Sequence, residues 1–483
     1  MTVPTDVIFA FWDSDRRLFE ANSWKIHVDD VLSIKSTPEA IFVSSYPLIN
    51  GKRKRVLLKL RGTPETLRGY ATQISYSDIP PHVPSESSVT RNQILVLLNP
   101  YSGQKKAYKH WIQDCKPIFD EAGVNYTLVE TEYAQHASEI VEKMKLDDYN
   151  AIVILSGDGM VSEVLTGLLT RTDRERALKM PLLHIPAGTA NALAAAVAFQ
   201  AGEPFSPRGN FCPEMALMIG RPNYKPLRLY HVETAADGHK LMFLTAVWGL
   251  IADIDLGSER FRWAGLARLH MEAFIRIAQL PTVAKYRGRI SYKPVLDGEL
   301  TRNTRLKSRE VREKLRSEYF KTKMVEKWRK GDTVAEKSSS TLQRAFEDSN
   351  NLSYKFPRLE DPVPSDWTVI EGDYAFVCLS SISHIGSDLP YCPSAKLDDE
   401  VMYLSLVDWR TIKSRFHIAH LLITIDQCLH LDHECLQIIP VTACRVEPAE
   451  GSGGYVAIDG EPVTSGSSFQ VTTTHLTATV IGR

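Results

Sequence analysis

Three continuous apolar runs, 94-ILVLL-98, 151-AIVIL-155 and 182-LLHI-185, stand out from the polar background of the chain. A strand that is apolar at every position is buried on both faces, the pattern of a parallel sheet covered by helices. Each run is followed by a glycine-containing turn and then by apolar residues at helical spacing. Behind Asp158 these are Val161, Val164, Leu165, Leu168 and Leu169. Repeated strand, turn and helix predict an α/β domain over about 91–225. From about 226 the period shortens to two. The segments 228-RLYHVET-234, 241-LMFLTAVWGL-250, 286-YRGRISY-292, 373-DYAFVCLS-380, 401-VMYLSLV-407, 441-VTACRVEP-448, 455-YVAID-459 and 469-FQVTTT-474 read as strands. Many short strands of this kind predict a β-sandwich-like second domain over 226–483.

Two further regions frame these domains. Short β-like runs at 7–12, 41–43 and 56–60, separated by turn chemistry such as Asn50-Gly51, predict a small β-rich accessory module over 1–80. The segment 79-IPPHVPSESS-88 reads as a linker. Residues 296–365, rich in Lys, Arg, Glu and Ser, read as a flexible surface insert in the second domain.

Composition narrows the class of protein. A chain of 483 residues implies two or three domains, and 43% hydrophobic with 24% charged residues is the balance of a soluble globular protein. The net charge of −1 gives no nucleic-acid footprint. No apolar run approaches the ~20 residues of a spanning helix, and the N-terminal segment lacks the basic start of a secretory signal. Seven cysteines, none in a C-x-x-C pair, read as reduced thiols of a cytoplasmic protein. In 428-CLHLDHEC-435 a zinc site could draw on Cys428, His430, His433 and Cys435. That spacing matches no common zinc template, and the preferred reading is a helix-to-strand junction with buried thiols.

The chemistry concentrates in three turns, 99-NPYSGQKKA-107, 156-SGDGM-160 and 187-AGTANALA-194. Turns at the carboxyl ends of parallel strands line one crevice, and a helix that follows aims free N–H groups at an anion. Together they suggest a nucleotide phosphate site; any one alone is explained as strand punctuation. There is no G-x-x-x-x-G-K-[ST], no G-x-G-x-x-G after a strand, and no H-R-D or D-F-G. This excludes a P-loop, a Rossmann dinucleotide site and a protein-kinase fold.

The ordered set NPYSG, SGDGMVSEVLTGLL, PAGTANALA and 458-IDGE-461 resembles the diacylglycerol-kinase-type lipid kinase family. The segments 245-TAVWGLIADIDLGSERFRWAGLARL-269, 361-DPVPSDWTVIEGDYAFV-377 and 447-EPAEGSGGYVAIDGEPV-463 resemble its sphingosine kinase branch. The resemblance covers about 91–295 and 361–465. It implies a Rossmann-like nucleotide domain joined to a β-sandwich-like lipid domain, and a kinase that moves the ATP γ-phosphate, with Mg²⁺, to the primary hydroxyl of a sphingosine-like base. Asp158 matches the family's catalytic carboxylate, with Ser156 and Gly157 beside it on the substrate side. From the residues alone Asp158 is also a helix cap, and the two roles are compatible.

Asn99, Tyr101, Thr131, Gly159, Gly188, Thr189, Arg262, Arg268, Asp459, Gly460 and Glu461 match ATP-binding positions. By pattern alone the arginines lie on a solvated helix face and Asp459-Gly460 is a hairpin turn. Asp255 matches the carboxylate that receives the sphingoid amine, a cation that ceramide and diacylglycerol lack. Thr245, Leu250, Ile251, Ile418, Leu421, Ile425 and His430 match a tunnel for the lipid tail, where periodicity alone gives ordinary core. Met271, Phe274 and Ile275, with Lys106, match a membrane-touching patch, and a core stripe explains the three apolar residues equally well. The implied location is cytoplasmic with peripheral recruitment to membranes; no residue identifies a calmodulin-type or other regulatory partner, or a protein ligand of the metal. Gln104 and Trp263 stand where basic residues are common. Ala190 replaces a usual glycine, which would crowd the turn if that position needs φ > 0. The alternatives are a ceramide or diacylglycerol kinase, or a lipid-binding scaffold whose kinase site has decayed.

Overall fold

The structure, a computed structural model, describes residues 8–13, 18–21, 24–37, 39–60, 62–77, 93–207, 211–220, 222–264, 267–279, 286–295 and 356–483. The predicted linker 79–88 and residues 296–355 of the predicted insert lie outside the described residues.

The first region is β-rich, as expected. Strands β1 (Ile8–Asp13), β2 (Leu18–Ala21), β3 (Trp24–His27), β4 (Val31–Ser36), β5 (Ile41–Ser45) and β8 (Val56–Leu60) form one sheet in the order β3-β2-β1-β8-β5-β4. The short pair β6 (Leu48–Ile49) and β7 (Lys52–Arg53) turns on Asn50-Gly51, both at positive φ. Helix α1 (Pro64–Ser77) follows. Phe19, Ile26, Val28, Val43, Leu58 and Leu60 fill a separate core.

The three apolar runs become β9 (Gln93–Leu98), β11 (Ala151–Ser156) and β12 (Leu182–Pro186). They pair in parallel in the order β10-β9-β11-β12, with β10 (Asn125–Glu130) at the edge. That edge strand escaped the sequence reading because NYTLVE is polar at both ends and only half-buried. Helices cover both faces, as continuous apolarity requires: α2 (Lys116–Ala122), α3 (His136–Lys143), α4 (Asp158–Thr170) and α5 (Ala192–Gln200). α5 reads ALAAAVAFQ and buries every residue from Ala192 to Ala198, so its small side chains face packed neighbours all round.

The second region is antiparallel: β13 (Asn223–Thr234), β14 (Gly238–Met242), β15 (Thr245–Gly249), β16 (Tyr286–Pro294), β17 (Thr368–Ser380), β18 (Met402–Asp408), β19 (Leu436–Pro448), β20 (Val456–Ile458), β21 (Glu461–Val463) and β22 (Phe469–Gly482). β17 and β19 change partners along their length. β17 meets β16 with its first half and β15 and β18 with its second, so the sheet folds over on itself in a sandwich-like way. Helices α6 (Leu250–Gly257), α7 (Ala267–Ala278) and α8 (Arg415–Ile423) pack on this body. The expected single strand 241–250 is instead two strands and the start of α6. It breaks at Phe243-Leu244 because their N–H groups donate to the Asp459 carboxylate rather than to a neighbouring strand. β22 unites the two regions: it pairs with β12 in parallel at Leu182↔Val480 and antiparallel with β13 and β19. Among the described residues, no helix is long and apolar enough to cross a membrane.

The N-terminal module is tied to the α/β region by a buried ion network. Arg53 donates to Asp30 at 2.6 Å and to both carboxylate oxygens of Glu203 at 2.7 and 2.9 Å. The Arg53 side chain is 4% exposed and Asp30 is fully enclosed. Removing one partner strands a buried charge, so Arg53→Met is expected to cost about 3–5 kcal/mol in denaturant-induced unfolding. A loss below about 1 kcal/mol would mean that water already screens the network.

Candidate active site

The three turns at the carboxyl ends of β9, β11 and β12 meet. Gly157 and Gly188 lie so close that a Cβ on Gly188 would stand 2.4 Å from the Gly157 Cα, and one on Gly157 would stand 3.2 Å from the Gly188 Cα. Gly103, at positive φ, is pressed against the Ala187 carbonyl in the same way, with 2.2 Å left for a Cβ. Ser102 Oγ donates to that carbonyl at 3.0 Å, and Ser156 Oγ reaches Ser102 Oγ at 3.4 Å. Asn99 is spent on its own loop, where its Oδ1 accepts the Tyr101 N–H at 2.9 Å and leaves the Tyr101 ring exposed. Thr131 is buried at the end of β10, its N–H donating to the Leu98 carbonyl. In the 187–191 turn, Asn191 takes the left-handed conformation (φ 53°) and its side chain closes the turn onto Gly188 through both its amide and its carbonyl. Thr189 is half-exposed there and Ala190 is exposed. Ala190 is not among the positive-φ residues, so its methyl group introduces no backbone strain.

Asp158 opens α4 but does not cap it. Its carboxylate crosses to the next helix: the Ala192 N–H donates to Oδ2 at 2.8 Å and the Leu193 N–H to Oδ1 at 3.1 Å. Asp158 therefore caps α5, and the expectation of a local cap is corrected. The reason is geometric, because the Gly157–Gly188 contact brings the start of α5 to Asp158. Behind it sits His184, which the sequence reading passed over as part of an apolar strand. Its Nε2–H donates to the Ser156 carbonyl at 3.1 Å, and Nδ1 stands 3.8 Å from Asp158 Oδ1. Burial lowers the His184 pKa, and the Asp158 charge partly offsets that. A histidine inside LLHIP was the available signal.

The 458–461 hairpin approaches from the other side. Asp459 (φ 51°) and Gly460 (φ 81°) are both left-handed, as a tight hairpin between β20 and β21 requires. The Asp459 carboxylate accepts N–H groups from Phe243, Leu244 and Thr245 at 3.0, 2.8 and 2.9 Å. Burial pushes its carboxyl up to about 7, the Asp158 charge adds to this, and the three donors oppose it. Asp459 is thus committed to holding the turn, while Glu461 lines a neighbouring cleft. Glu461 Oε1 lies 3.0 Å from where a Gly159 Cβ would be, and Asp255 Oδ2 lies 3.8 Å from where a Gly460 Cβ would be. One turn therefore touches both Gly159 and Asp255.

The structure separates the two aspartates of IADID. Asp253 is buried and fully used, accepting from Tyr286 Oη at 2.7 Å, Tyr455 N–H at 2.8 Å and Arg276 at 3.1 Å. Asp255 is half-buried and lies against the Gly460 turn. Burial pushes its carboxyl up to about 6; Arg268 pulls it down, and Glu259 and Glu461 push it further up. Arg268 is buried beside Asp255 and ion-paired to Glu259. The Arg262 side chain lies outside the described part of the structure. Thr245, Leu250, Ile418, Leu421, Ile425 and His430 are all buried, and Ile251 is half-buried. The five apolar members share one cluster. His430 is fully enclosed and its Nε2–H donates to the Tyr391 carbonyl at 2.9 Å, with burial holding its pKa down at about 4. A cleft of about 1060 Å³ runs between α4 and the β13–β14 hairpin; Gly159, Glu163 and Glu461 line it, and Asp158 and Asp255 lie outside its lining.

Residues 93–208 match the family described as the diacylglycerol kinase catalytic domain. The chain is 33% identical over 376 residues to sphingosine kinase 1 of Homo sapiens, covering 77% of this chain and 86% of that protein. It is 31% identical over 385 residues to sphingosine kinase 1 of Caenorhabditis elegans, covering 77% and 78%. A crystal structure of a diacylglycerol kinase from Bacillus anthracis is similar with a TM-score of 0.44 and 14% identity, over 82% of this chain and 98% of that one.

The Gly157–Gly188 contact gives a direct test. Backbone cannot yield as a flexible side chain can, so Gly188→Ala is expected to lower stability by about 1–3 kcal/mol. Thermal unfolding reads this, and an unchanged midpoint would show that the turns separate freely.

Proposed function

The chain belongs to the sphingosine kinase family, and from that premise we propose that it is an ATP- and Mg²⁺-dependent kinase. Its substrates are sphingosine-like long-chain bases, and its product is sphingosine 1-phosphate. The observation that supports this most directly is the Gly460-Glu461 turn, which lies against Gly159 on one side and Asp255 on the other. A carboxylate suited to a hydroxyl proton, next to Gly159, and a carboxylate suited to an ammonium group thereby flank one turn.

In the proposed reaction Asp158 accepts the proton of the primary hydroxyl. The hydroxyl oxygen attacks the γ-phosphorus, the bond from phosphorus to the β–γ bridging oxygen breaks, and ADP leaves. Each Asp158 oxygen spends one acceptor direction on an α5 amide and keeps another for substrate. Those amides fix the carboxylate, so positioning is built in before substrate arrives. The Asn99–Tyr101, Thr131 and Gly188–Thr189 turns would hold the nucleotide, together with Arg262 and with an Arg268 released from Glu259. Magnesium, when bound, supplies charge neutralisation across the phosphates; the Glu461 carboxylate over Gly159 fits as an oxygen ligand. Asp255 would pair with the amine. The tail would displace packing among Leu250, Ile251, Ile418, Leu421 and Ile425, at about 0.8 kcal/mol per buried CH₂.

Helix α7 supports peripheral membrane contact. Its buried residues are Arg268 and Glu272, whereas Phe274 is 75% exposed and Met271 and Ile275 are half-exposed. An apolar outward face on a helix with a charged inward face suits a lipid surface better than a core. The unstrained backbone at Ala190 removes the reason for reading the kinase site as decayed.

Four experiments test the proposal. In mixed micelles with labelled ATP, sphingosine is expected to take label far faster than ceramide or diacylglycerol; label entering ceramide alone would overturn the substrate assignment. Asp158→Asn should lower kcat by at least about 10²–10⁴-fold while nucleotide binding and the unfolding midpoint persist, and retained turnover would remove Asp158 as base. With Asp255 titrating near 6, its charge is lost as pH falls, so KM for sphingosine should rise as pH drops through about 6. Asp255→Asn should raise that KM more than the KM for ATP and flatten its pH dependence. The same pH profile in the variant would refute amine recognition.

A further inference from the structure

The segment 428–435 divides in the fold. Cys428 and His430 turn inward, Sγ to the Pro390 carbonyl at 3.7 Å and Nε2–H to the Tyr391 carbonyl at 2.9 Å. His433 and Cys435 instead meet two histidines of α8. His417 Nε2 lies 3.7 Å from Cys435 Sγ, and His420 Nδ1 lies 2.9 Å from His433 Nε2. The rings of His417 and His433 stack with centroids 5.3 Å apart. Ligand atoms of His417, His433 and Cys435 all fall within 4.8 Å of one another.

We propose that His417, His433 and Cys435 bind a zinc(II) ion, with His420 hydrogen-bonded to His433 as the residue that orients its ring. A tetrahedral zinc with Zn–S near 2.3 Å and Zn–N near 2.0–2.1 Å sets its sulfur and nitrogen ligands about 3.6 Å apart. The observed 3.7 Å between Cys435 Sγ and His417 Nε2 needs almost no adjustment. Two imidazoles and one thiolate select a borderline-soft ion and disfavour Mg²⁺ and Ca²⁺, which take oxygen ligands. Metal binding also requires the thiolate. Burial pushes the Cys435 thiol up, so the free site holds a thiol whose proton leaves when metal enters. His417 Nδ1 receives a long contact, from the Lys413 N–H at 3.4 Å.

The position gives the ion a structural consequence. His417 and His420 lie on α8 among Ile418 and Leu421, which enter the apolar cluster, while Cys435 immediately precedes β19. Zinc would clip α8 to the start of that strand and hold closed the cluster proposed above to receive the lipid tail. Only this consequence rests on the kinase reading; the metal site stands or falls independently.

The test uses the full-length protein, stripped with chelator and titrated with Co²⁺. One Co²⁺ per chain is expected, with a thiolate-to-cobalt charge-transfer band that Zn²⁺ abolishes and excess Mg²⁺ does not. Cys435→Ser should lose the band. His417→Ala and His433→Ala should weaken binding by more than about a hundredfold, and His420→Ala by about 10–100-fold, the usual cost of removing an orienting partner. Because Cys435 is buried, the half-buried His417 provides the variant that should keep its fold, checked by far-ultraviolet circular dichroism. His231→Ala, in the separate His231–Glu233–His239 cluster, should leave the band intact. Absence of the band in the wild-type protein, its persistence in Cys435→Ser, or its loss in His231→Ala would each overturn the proposal.

Discussion

The candidate active site depends on two backbone turns in direct contact, Gly157 against Gly188, with no room for a side chain between them. That approach brings the first amides of α5 to the Asp158 carboxylate, which accepts both. A buried carboxylate without donors is costly, and helix N–H groups without acceptors are too. Each satisfies the other, so α4 and α5 are locked in a fixed relation. The Ser102, Asn99 and Asn191 side chains then close the neighbouring turns by bonding to backbone rather than to one another. The result is a rigid floor of backbone with few side chains projecting from it, a surface suited to a phosphate-bearing ligand.

The opposite wall comes from the far end of the chain. Asp459 binds three consecutive amides and so ends β14, starts β15 and anchors the hairpin that carries Glu461. β22 then runs from the sandwich-like body to the parallel sheet, so the two walls share one hydrogen-bonded framework. Four carboxylates interact around the 458–461 hairpin: the Asp158 charge raises the Asp459 carboxyl, and the Glu461 charge raises that of Asp255, each adding to burial. Such a group favours cations, and the proposed reaction brings an ammonium group and a metal ion to it.

Helix α7 inverts the usual amphipathic rule. Glu272 is fully buried and held by Arg260 and Arg276, with Arg276 also reaching Asp253, while Phe274 faces outward. Spacing alone could not separate a core stripe from an interfacial one, because both place apolar residues three and four apart. The charged partners decide which residues are buried: they must be paired where water is excluded, and that pairing leaves Phe274 exposed.

Much was legible without coordinates. Continuous apolar runs determined the parallel sheet, since only burial on both faces tolerates them, and Asp-Gly specified the hairpin turn because few other pairs accept two left-handed residues. The Gly-flanked turns marked where backbones approach closely. What the sequence left open were relations between distant segments. It could not tell that Asp253 is consumed by Tyr286, Tyr455 and Arg276, that Asp158 caps the following helix and not its own, that an apolar run breaks because Asp459 takes its amides, or that His433 and Cys435 part from Cys428 and His430 to meet α8. Local patterning reports what each segment buries, but a hydrogen bond or a ligand set is satisfied by whichever partner the chain brings within about 3 Å, and only the tertiary structure decides that.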